Sequence, residues 1–189
     1  NHLETKQFFK IQSIGMENIG VFRMAFPNVP WLFLYRDPIQ VMMSHLGGDT
    51  RKSKTAAVCL RGYHDQEESV LLSKEEYCAS TLATFCNMAI REHEEFGTGR
   101  MVNYAHVRDS LLLDSILPNY FGLEIGEEER RRANAVASVY SKGGSLKDTK
   151  LWIDDSSKKE KMASEEVKLA CRDYLEESYD TLEGYSTTN

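Results

Sequence analysis

An arginine and a serine in this sequence are spaced so that they could bind a phosphate. Arg36 directly follows the apolar run Trp31–Tyr35, and Ser44 lies seven residues, or two helical turns, after Asp37. Asp37 and Pro38 are residues favoured at the start of a helix. A guanidinium offers a planar fork of N–H donors that suits phosphate oxygens, and a hydroxyl adds one donor. The pair therefore predicts a clamp on a terminal phosphate; the alternative is an arginine paired with a nearby carboxylate beside an exposed helical serine.

The segment around these residues resembles a known nucleotide-binding element. Residues Phe33–Leu46, FLYRDPIQVMMSHL, resemble the 3′-phosphate-binding segment of the sulfotransferase family. The family's pattern is a strand, then Arg-Asp/Asn-Pro, then a Ser eight residues after the Arg, and Arg36 and Ser44 match both anchoring positions. The resemblance implies that these two side chains hold the 3′-phosphate of the co-substrate 3′-phosphoadenosine 5′-phosphosulfate (PAPS).

Two later segments resemble elements of the same family, in the expected order. Met101–Tyr104 resembles a strand whose final Tyr contacts the adenine, which implies this role for Tyr104; a simple rim aromatic is the alternative. Lys142 and Gly143 match the Arg-Lys-Gly loop that wraps the 3′-phosphate, while Ser141 stands where Arg is usual. A glycine lets the backbone approach an anion closely. A Lys-Gly-Gly sequence by itself is also typical of an ordinary turn.

The resemblance implies transfer of a sulfuryl group from PAPS to a hydroxyl or amine of a small-molecule or glycan acceptor, without a metal. Two parts of the family pattern are missing. No Gly-rich, Lys-bearing loop for the 5′-phosphosulfate precedes Phe8, and Gln12, which cannot titrate, stands near the place of a frequent catalytic His. Lys10 and His45 are the catalytic candidates that this sequence offers. The alternative function is a non-catalytic nucleotide-binding fragment or pseudoenzyme, and a related kinase is a third hypothesis.

Three short segments predict the strands that position these residues: Phe8–Ser13, Trp31–Tyr35 and Met101–Tyr104. The second run is apolar throughout, which predicts a strand buried on both faces. Strands separated by helices indicate a parallel sheet covered on both faces, and ligands bind at the carboxyl ends of such strands. Together with the resemblance, the expected fold is an α/β three-layer sheet similar to P-loop NTPases, N-terminally incomplete, in one domain over residues 1–189.

Helix signals lie between these runs. Ser73 followed by Glu76 is a capping box that begins a helix extending to about Phe96, where Gly97 and Gly99 end it. Residues 48–72 are polar and irregular, which predicts a variable loop, and residues 140–160 are predicted as loop as well. The other predicted helices cover residues 16–26, 38–46, 109–117, 127–139 and 164–182.

The composition of the chain argues against some classes of function. The formal charge of −6 argues against a broad nucleic-acid surface, although a local anion pocket is compatible with it. No apolar run approaches the roughly 20 residues needed to span a bilayer, so no membrane segment is expected. The cysteines have no metal-ligand spacing and are expected to be reduced, which favours a cytosolic setting. They are Cys59, Cys78, Cys86 and Cys171.

Overall fold

The computed structural model describes residues 6–46, 71–107, 112–137 and 156–187. These residues form a mostly helical α/β arrangement with a two-stranded parallel sheet. In chain order the elements are a 3₁₀ helix Ser13–Asn18, α1 Ile19–Ala25, β1 Leu32–Tyr35, α2 Pro38–Leu46, α3 Lys74–Phe96, β2 Arg100–Asn103, α4 Tyr104–Val107, a π-helix Leu112–Tyr120, α5 Glu127–Ala137, α6 Ser156–Met162 and α7 Glu165–Thr187.

The two strands of the sheet run in the same direction and end at the same edge. Leu32 lies opposite Arg100, and Tyr35 lies opposite Asn103. Parallel strands need a crossover connection, and the described part of this one contains α2 and α3. The strands predicted at residues 31–35 and 101–104 are confirmed, with each boundary within one residue of its predicted place.

Two other predictions about strands are wrong. Residues Phe8–Ser13 do not form a strand: the segment is exposed and enters the 3₁₀ helix at Ser13. Phe8 packs edge-on against the Phe121 ring, with centroids 5.3 Å apart, and an apolar run becomes a strand only where a neighbouring backbone pairs with it. β1 is also not buried on both faces, because the side chain of Leu34 is 46% exposed.

A side-chain cap determines where α2 begins, directly after β1. Asp37 Oδ1 accepts a hydrogen bond from the backbone N–H of Gln40 at 3.0 Å. Pro38 occupies the first helical position, where its missing N–H costs nothing. The predicted turn from strand to helix is therefore confirmed, and it holds Arg36 at the end of the sheet.

Local signals also determine both ends of α3. Ser73 and Glu76 form the predicted capping box, each side chain accepting from the other residue's backbone N–H. Gly97 takes the left-handed conformation at φ +62° and ends the helix. A side chain at Gly99, where φ is +83°, would collide with the Trp31 ring. Both glycines are thus required by the turn that leads α3 into β2.

Several helices differ from their predictions, and α1 begins at Ile19 rather than at Met16 because a 3₁₀ helix precedes it. A π-helix at Leu112–Tyr120 lies where an α-helix was expected at 109–117, and it contains Pro118, which has no N–H to donate. α7 extends to Thr187, five residues beyond its predicted end. α6 lies in a stretch predicted as loop, and this short polar helix packs against α2. Tertiary contact stabilises helices that are too short to form alone.

The core lies between α3 and α7, which run side by side in the same direction. Their first halves meet α2 in one buried cluster, and their second halves meet β1, β2 and the 3₁₀ helix in another. The first cluster contains small side chains such as Ala79, Ala83 and Ala170, which allow close helix packing. The second contains larger ones, among them Phe85, Met101 and Leu182.

The three cysteines in the described ranges are free thiols, as expected. Burial raises the pKa of Cys86 to about 12. It also raises the pKa of Cys171 to about 12, with a smaller contribution from the Asp37 charge. The thiols of Cys86 and Cys171 are therefore protonated at neutral pH, which makes them poor nucleophiles. Cys78 is a buried free cysteine. Cys59 and almost all of the predicted 48–72 loop lie outside the described residues.

Candidate anion-binding site

Arg36 and Tyr104 are neighbours at the carboxyl end of the sheet. Tyr35 pairs with Asn103 at the last position of the two strands, so the next residue along each strand leaves the same edge. The guanidinium carbon of Arg36 lies 5.2 Å from the centre of the Tyr104 ring, within the range of a cation–π contact. This edge therefore presents a cation beside an aromatic ring.

Uncharged oxygens accept two of the Arg36 hydrogen bonds. Its Nε donates to Gln40 Oε1 at 2.6 Å, and its Nη2 donates to the hydroxyl of Ser156 at 3.0 Å. Gln40 lies in the first turn of α2, and Ser156 is the first residue of α6. The half-buried arginine thus connects the sheet end to two helices that are far apart in sequence.

Gln40 connects the parts of this site. Its Nε2 donates to Glu160 Oε1 of α6 at 2.8 Å, and its backbone carbonyl accepts the Ser44 hydroxyl at 2.8 Å. Ser44 therefore donates its hydroxyl proton within its own helix, to the residue four positions earlier. Arg36 and Ser44 both reach Gln40 but bond to different atoms of it. The structure brings them near the same residue without a shared acceptor.

Two other predicted site residues, Lys10 and His45, are not at strand ends. Lys10 is exposed on the irregular segment before the 3₁₀ helix, because the predicted strand there does not form. His45 is half-buried in the last turn of α2, about 100° around the helix from Ser44, so the two side chains point in different directions. Lys142 and Gly143 lie outside the described residues.

A second polar network attaches α7 to the ends of the strands. Asn103 is buried, and its Nδ2 donates to Glu183 Oε1 at 2.5 Å and to the Tyr179 hydroxyl at 3.3 Å. The Tyr35 hydroxyl donates to the Leu182 carbonyl at 3.2 Å. Burial raises the pKa of Tyr179 to about 12, and the Glu183 charge adds to the effect; burial likewise raises the pKa of Tyr35. Both phenols are therefore neutral, and they hold α7 in position.

Three residues of the Arg36 network, Gln40, Ser156 and Glu160, are absent from the sequence-based prediction. Gln40 had a usable signal, because it is the third residue of the helix that the Asp37 cap begins, and side chains at that position reach back toward the residues before the helix. Ser156 and Glu160 had none, since each lies 120 residues from its partner. Only the packing of α6 on α2 reveals them.

The chemistry that this arrangement supports is anion binding. Hydrogen bonds from a guanidinium to a phosphate are charge-assisted on both sides, and such bonds are about twice as strong as those between neutral groups. A doubly charged anion can therefore replace the Gln40 amide and the Ser156 hydroxyl as acceptors for Arg36. The Tyr104 ring beside the guanidinium offers a flat surface for an aromatic group attached to that anion.

Comparisons with known protein families, with curated proteins and with solved structures find no match. Within the described ranges, no three His, Cys, Asp or Glu side chains form a group that could hold a metal ion. In the same part of the chain, no helix combines the length and the apolar character needed to cross a membrane.

Proposed function

We propose that this chain binds the 3′-phosphate of PAPS at Arg36 and serves sulfuryl transfer to a hydroxyl or amine of a small-molecule or glycan acceptor. The observation that carries the proposal is the position of Arg36 beside Tyr104, directly after two paired parallel strands. Ligands of parallel α/β sheets bind at that edge. A strand, then Arg36-Asp37-Pro38, then a helix that carries Ser44 eight residues after Arg36, is a sequence that resembles the sulfotransferase family. This resemblance is the reason for proposing that the anion is the 3′-phosphate of PAPS.

In the proposed complex the 3′-phosphate takes the place of two acceptors of Arg36. The guanidinium fork leaves Gln40 Oε1 and the Ser156 hydroxyl and binds two phosphate oxygens. The Ser44 hydroxyl turns from the Gln40 carbonyl to a third oxygen. Tyr104 contacts the adenine, and by resemblance Lys142 and Gly143 close over the phosphate.

The proposed fold is the three-layer sheet of proteins similar to P-loop NTPases, with β1 and β2 as two of its strands. Their parallel pairing supports this, because parallel strands occur almost only in sheets covered by helices on both faces. Leu34 on β1 is exposed, and in the proposed sheet a further layer of structure would cover its side chain.

In the proposed reaction the acceptor oxygen or nitrogen attacks the sulfur in line with the bond to the departing nucleotide. That sulfur–oxygen bond breaks, the 5′-phosphate oxygen leaves with the electron pair, and the acceptor's proton passes to a base. Positioning and electrostatic stabilisation are the main sources of rate in such a displacement. Lys10 and His45 are the proposed catalytic residues in this chain.

Nucleotide binding without transfer is the second candidate function. The position of Lys10 favours it, because an exposed lysine on an irregular segment is not held against a reacting group. The two functions share the Arg36 site. They differ in whether PAPS is converted to adenosine 3′,5′-bisphosphate in the presence of an acceptor.

Calorimetric titration with adenosine 3′,5′-bisphosphate tests the shared site. We expect Arg36→Ala to raise the Kd about 100-fold, because charged hydrogen bonds contribute roughly 1.5–3 kcal/mol each. Tyr104→Leu is expected to raise it about 10-fold, from the lost ring contact. Arg131→Ala on α5, which removes the same charge from an exposed arginine paired with Glu128, is the matched control and leaves the Kd unchanged. An Arg36→Ala protein that binds like the wild type would show that the anion site lies elsewhere.

A further inference from the structure

The helix α6 supplies one of the oxygens to which Arg36 donates. The Nε–H and one Nη2–H of a guanidinium point the same way, and they form a two-donor edge that suits a carboxylate or a phosphate. This edge of Arg36 donates to two uncharged oxygens, Gln40 Oε1 on α2 at 2.6 Å and the Ser156 hydroxyl on α6 at 3.0 Å. The two oxygens therefore lie where two oxygens of one bound anion would lie.

A second hydrogen bond joins α6 to the same residue of α2. The Glu160 carboxylate accepts from Gln40 Nε2 at 2.8 Å. Glu160 lies one helical turn after Ser156, so both side chains are on the same side of α6. The Gln40 amide thus has its oxygen toward the Arg36 guanidinium and its nitrogen toward Glu160. Three hydrogen bonds of the candidate anion site connect α6, Gln40 and Arg36.

The helices on either side of this contact begin independently of it. α6 has seven residues and buries none of them, and a helix this short is stable only through tertiary contact. Ala163, which follows α6, is buried in the first cluster, and the Ser164 hydroxyl at the start of α7 accepts from the backbone N–H of Val167 at 3.4 Å. The Asp37 cap that begins α2 is equally local. We therefore expect that α6 can leave α2 while α2 and α7 stay in place.

We infer that α6 and the 3′-phosphate compete for Arg36, so that binding of the nucleotide releases α6 from α2. This inference rests on the proposed function and adds a means of regulating the same site. Bonds from the guanidinium to a phosphate carry charge on both sides, whereas its bonds to Gln40 and Ser156 carry charge on the donor alone. The phosphate is therefore the stronger acceptor. The apparent affinity for the nucleotide falls with the fraction of chains in which α6 is bound at Arg36.

The substitution Ser156→Ala distinguishes competition from a direct role of Ser156 in binding the phosphate. A competing hydroxyl weakens nucleotide binding, so its removal lowers the Kd, whereas removal of a hydroxyl that binds the phosphate raises it. We expect the calorimetric Kd for adenosine 3′,5′-bisphosphate to fall about 5-fold in Ser156→Ala, because α6 is then bound at Arg36 in fewer chains. Ser157→Ala makes the same change at the next, exposed position of α6 and is the matched control, with the wild-type Kd.

Trypsin measures the release of α6 directly, because a protease cuts a segment in proportion to the fraction of chains in which it is open. α6 contains three cleavage sites, at Lys158, Lys159 and Lys161. We expect saturating adenosine 3′,5′-bisphosphate to increase the rate of cleavage at these sites about 5-fold, measured by mass spectrometry. Arg36→Ala should increase it without nucleotide, because the donor that holds Ser156 is gone. Cleavage after Lys168 and Arg172 on α7 should stay slow throughout and is the internal control.

The results that would overturn the inference differ from those that would overturn the proposed function. Slower or unchanged cleavage of α6 with the nucleotide, or a Kd in Ser156→Ala that is raised or unchanged, would show that α6 does not compete. The proposed function would still stand if the nucleotide binds and Arg36→Ala weakens that binding. If neither the wild type nor Ser156→Ala binds the nucleotide, the proposed function fails and the competition fails with it.

Discussion

α1 and α3 use apolar residues in opposite ways. α1 has seven residues, has no side-chain cap at Asn18, and buries none of its side chains. α3 has 23 residues, begins with a capping box, ends at a left-handed Gly97, and contributes to both buried clusters. Both helices reach the second buried cluster, but α1 does so only through the partly buried Ile19, whereas α3 supplies several of its buried residues.

The difference shows that a partner surface, rather than hydrophobicity, decides burial. α1 carries Val21, Phe22 and Met24 and still leaves them exposed, whereas α3 meets α7 along its length. Apolar area stabilises a fold only when it is removed from water. Stability should therefore be concentrated in the α3–α7 pair, with α1 attached mainly through the Arg23–Glu92 ion pair and the partly buried Ile19.

The largest expected effect lies in the α3–α7 core. Leu182→Ala removes a fully buried side chain and should lower the free energy of unfolding by about 3 kcal/mol, from lost transfer energy and the cavity left behind. Met24→Ala, at 70% exposure on α1, should change it by less than about 0.5 kcal/mol. Urea unfolding of the wild type and the two variants checks both. Equal losses would contradict the proposed concentration of stability.

A smaller loss is expected where α1 joins α3. Glu92→Ala leaves the partly buried Arg23 guanidinium without its carboxylate, which should cost about 2 kcal/mol, less than the value for fully buried pairs. Hydrogen exchange of the α1 amides should accelerate together with this loss. Glu95→Ala, an exposed change on the same helix, is the control and should leave α1 exchange unchanged. Unchanged exchange in Glu92→Ala would mean that α1 is held by other contacts.

The smallest effect concerns the cap that α3 has and α1 lacks. Ser73→Ala should lower the free energy of unfolding by about 1 kcal/mol.

The backbone N–H of Ser73, and then its hydroxyl, hold the pKa of Glu76 below its usual value. The resulting stability is present above the usual glutamate pKa and is lost as pH falls through the lowered one. Between roughly pH 5 and pH 3, the free energy of unfolding should fall more in the wild type than in Glu76→Gln. An equal fall in both proteins would contradict the stabilising role of the Glu76 carboxylate.

Prediction from the sequence succeeded where the cause is local. Asp37 and Pro38 start α2, and Ser73 with Glu76 starts α3, because each cap is made by residues within three positions of one another. Those caps place Arg36 at the end of a strand, so the position of the candidate site was readable as well. The partners of Arg36 on α6 could not be predicted, because a short polar helix lacks the apolar periodicity by which a helix is recognised in a sequence.

The sequence by itself determined the strand–helix turn that carries Arg36, both ends of α3, and the absence of charge between Met24 and Tyr35. The tertiary structure decided that Phe8–Ser13 stays out of the sheet, that Ser156 reaches Arg36, and that α1 leaves Val21, Phe22 and Met24 exposed to water. Caps and turns depend on atoms a few residues apart. Burial, strand pairing and long-range hydrogen bonds depend on which surfaces meet, and the residues next to one another in the sequence do not determine which surfaces those are.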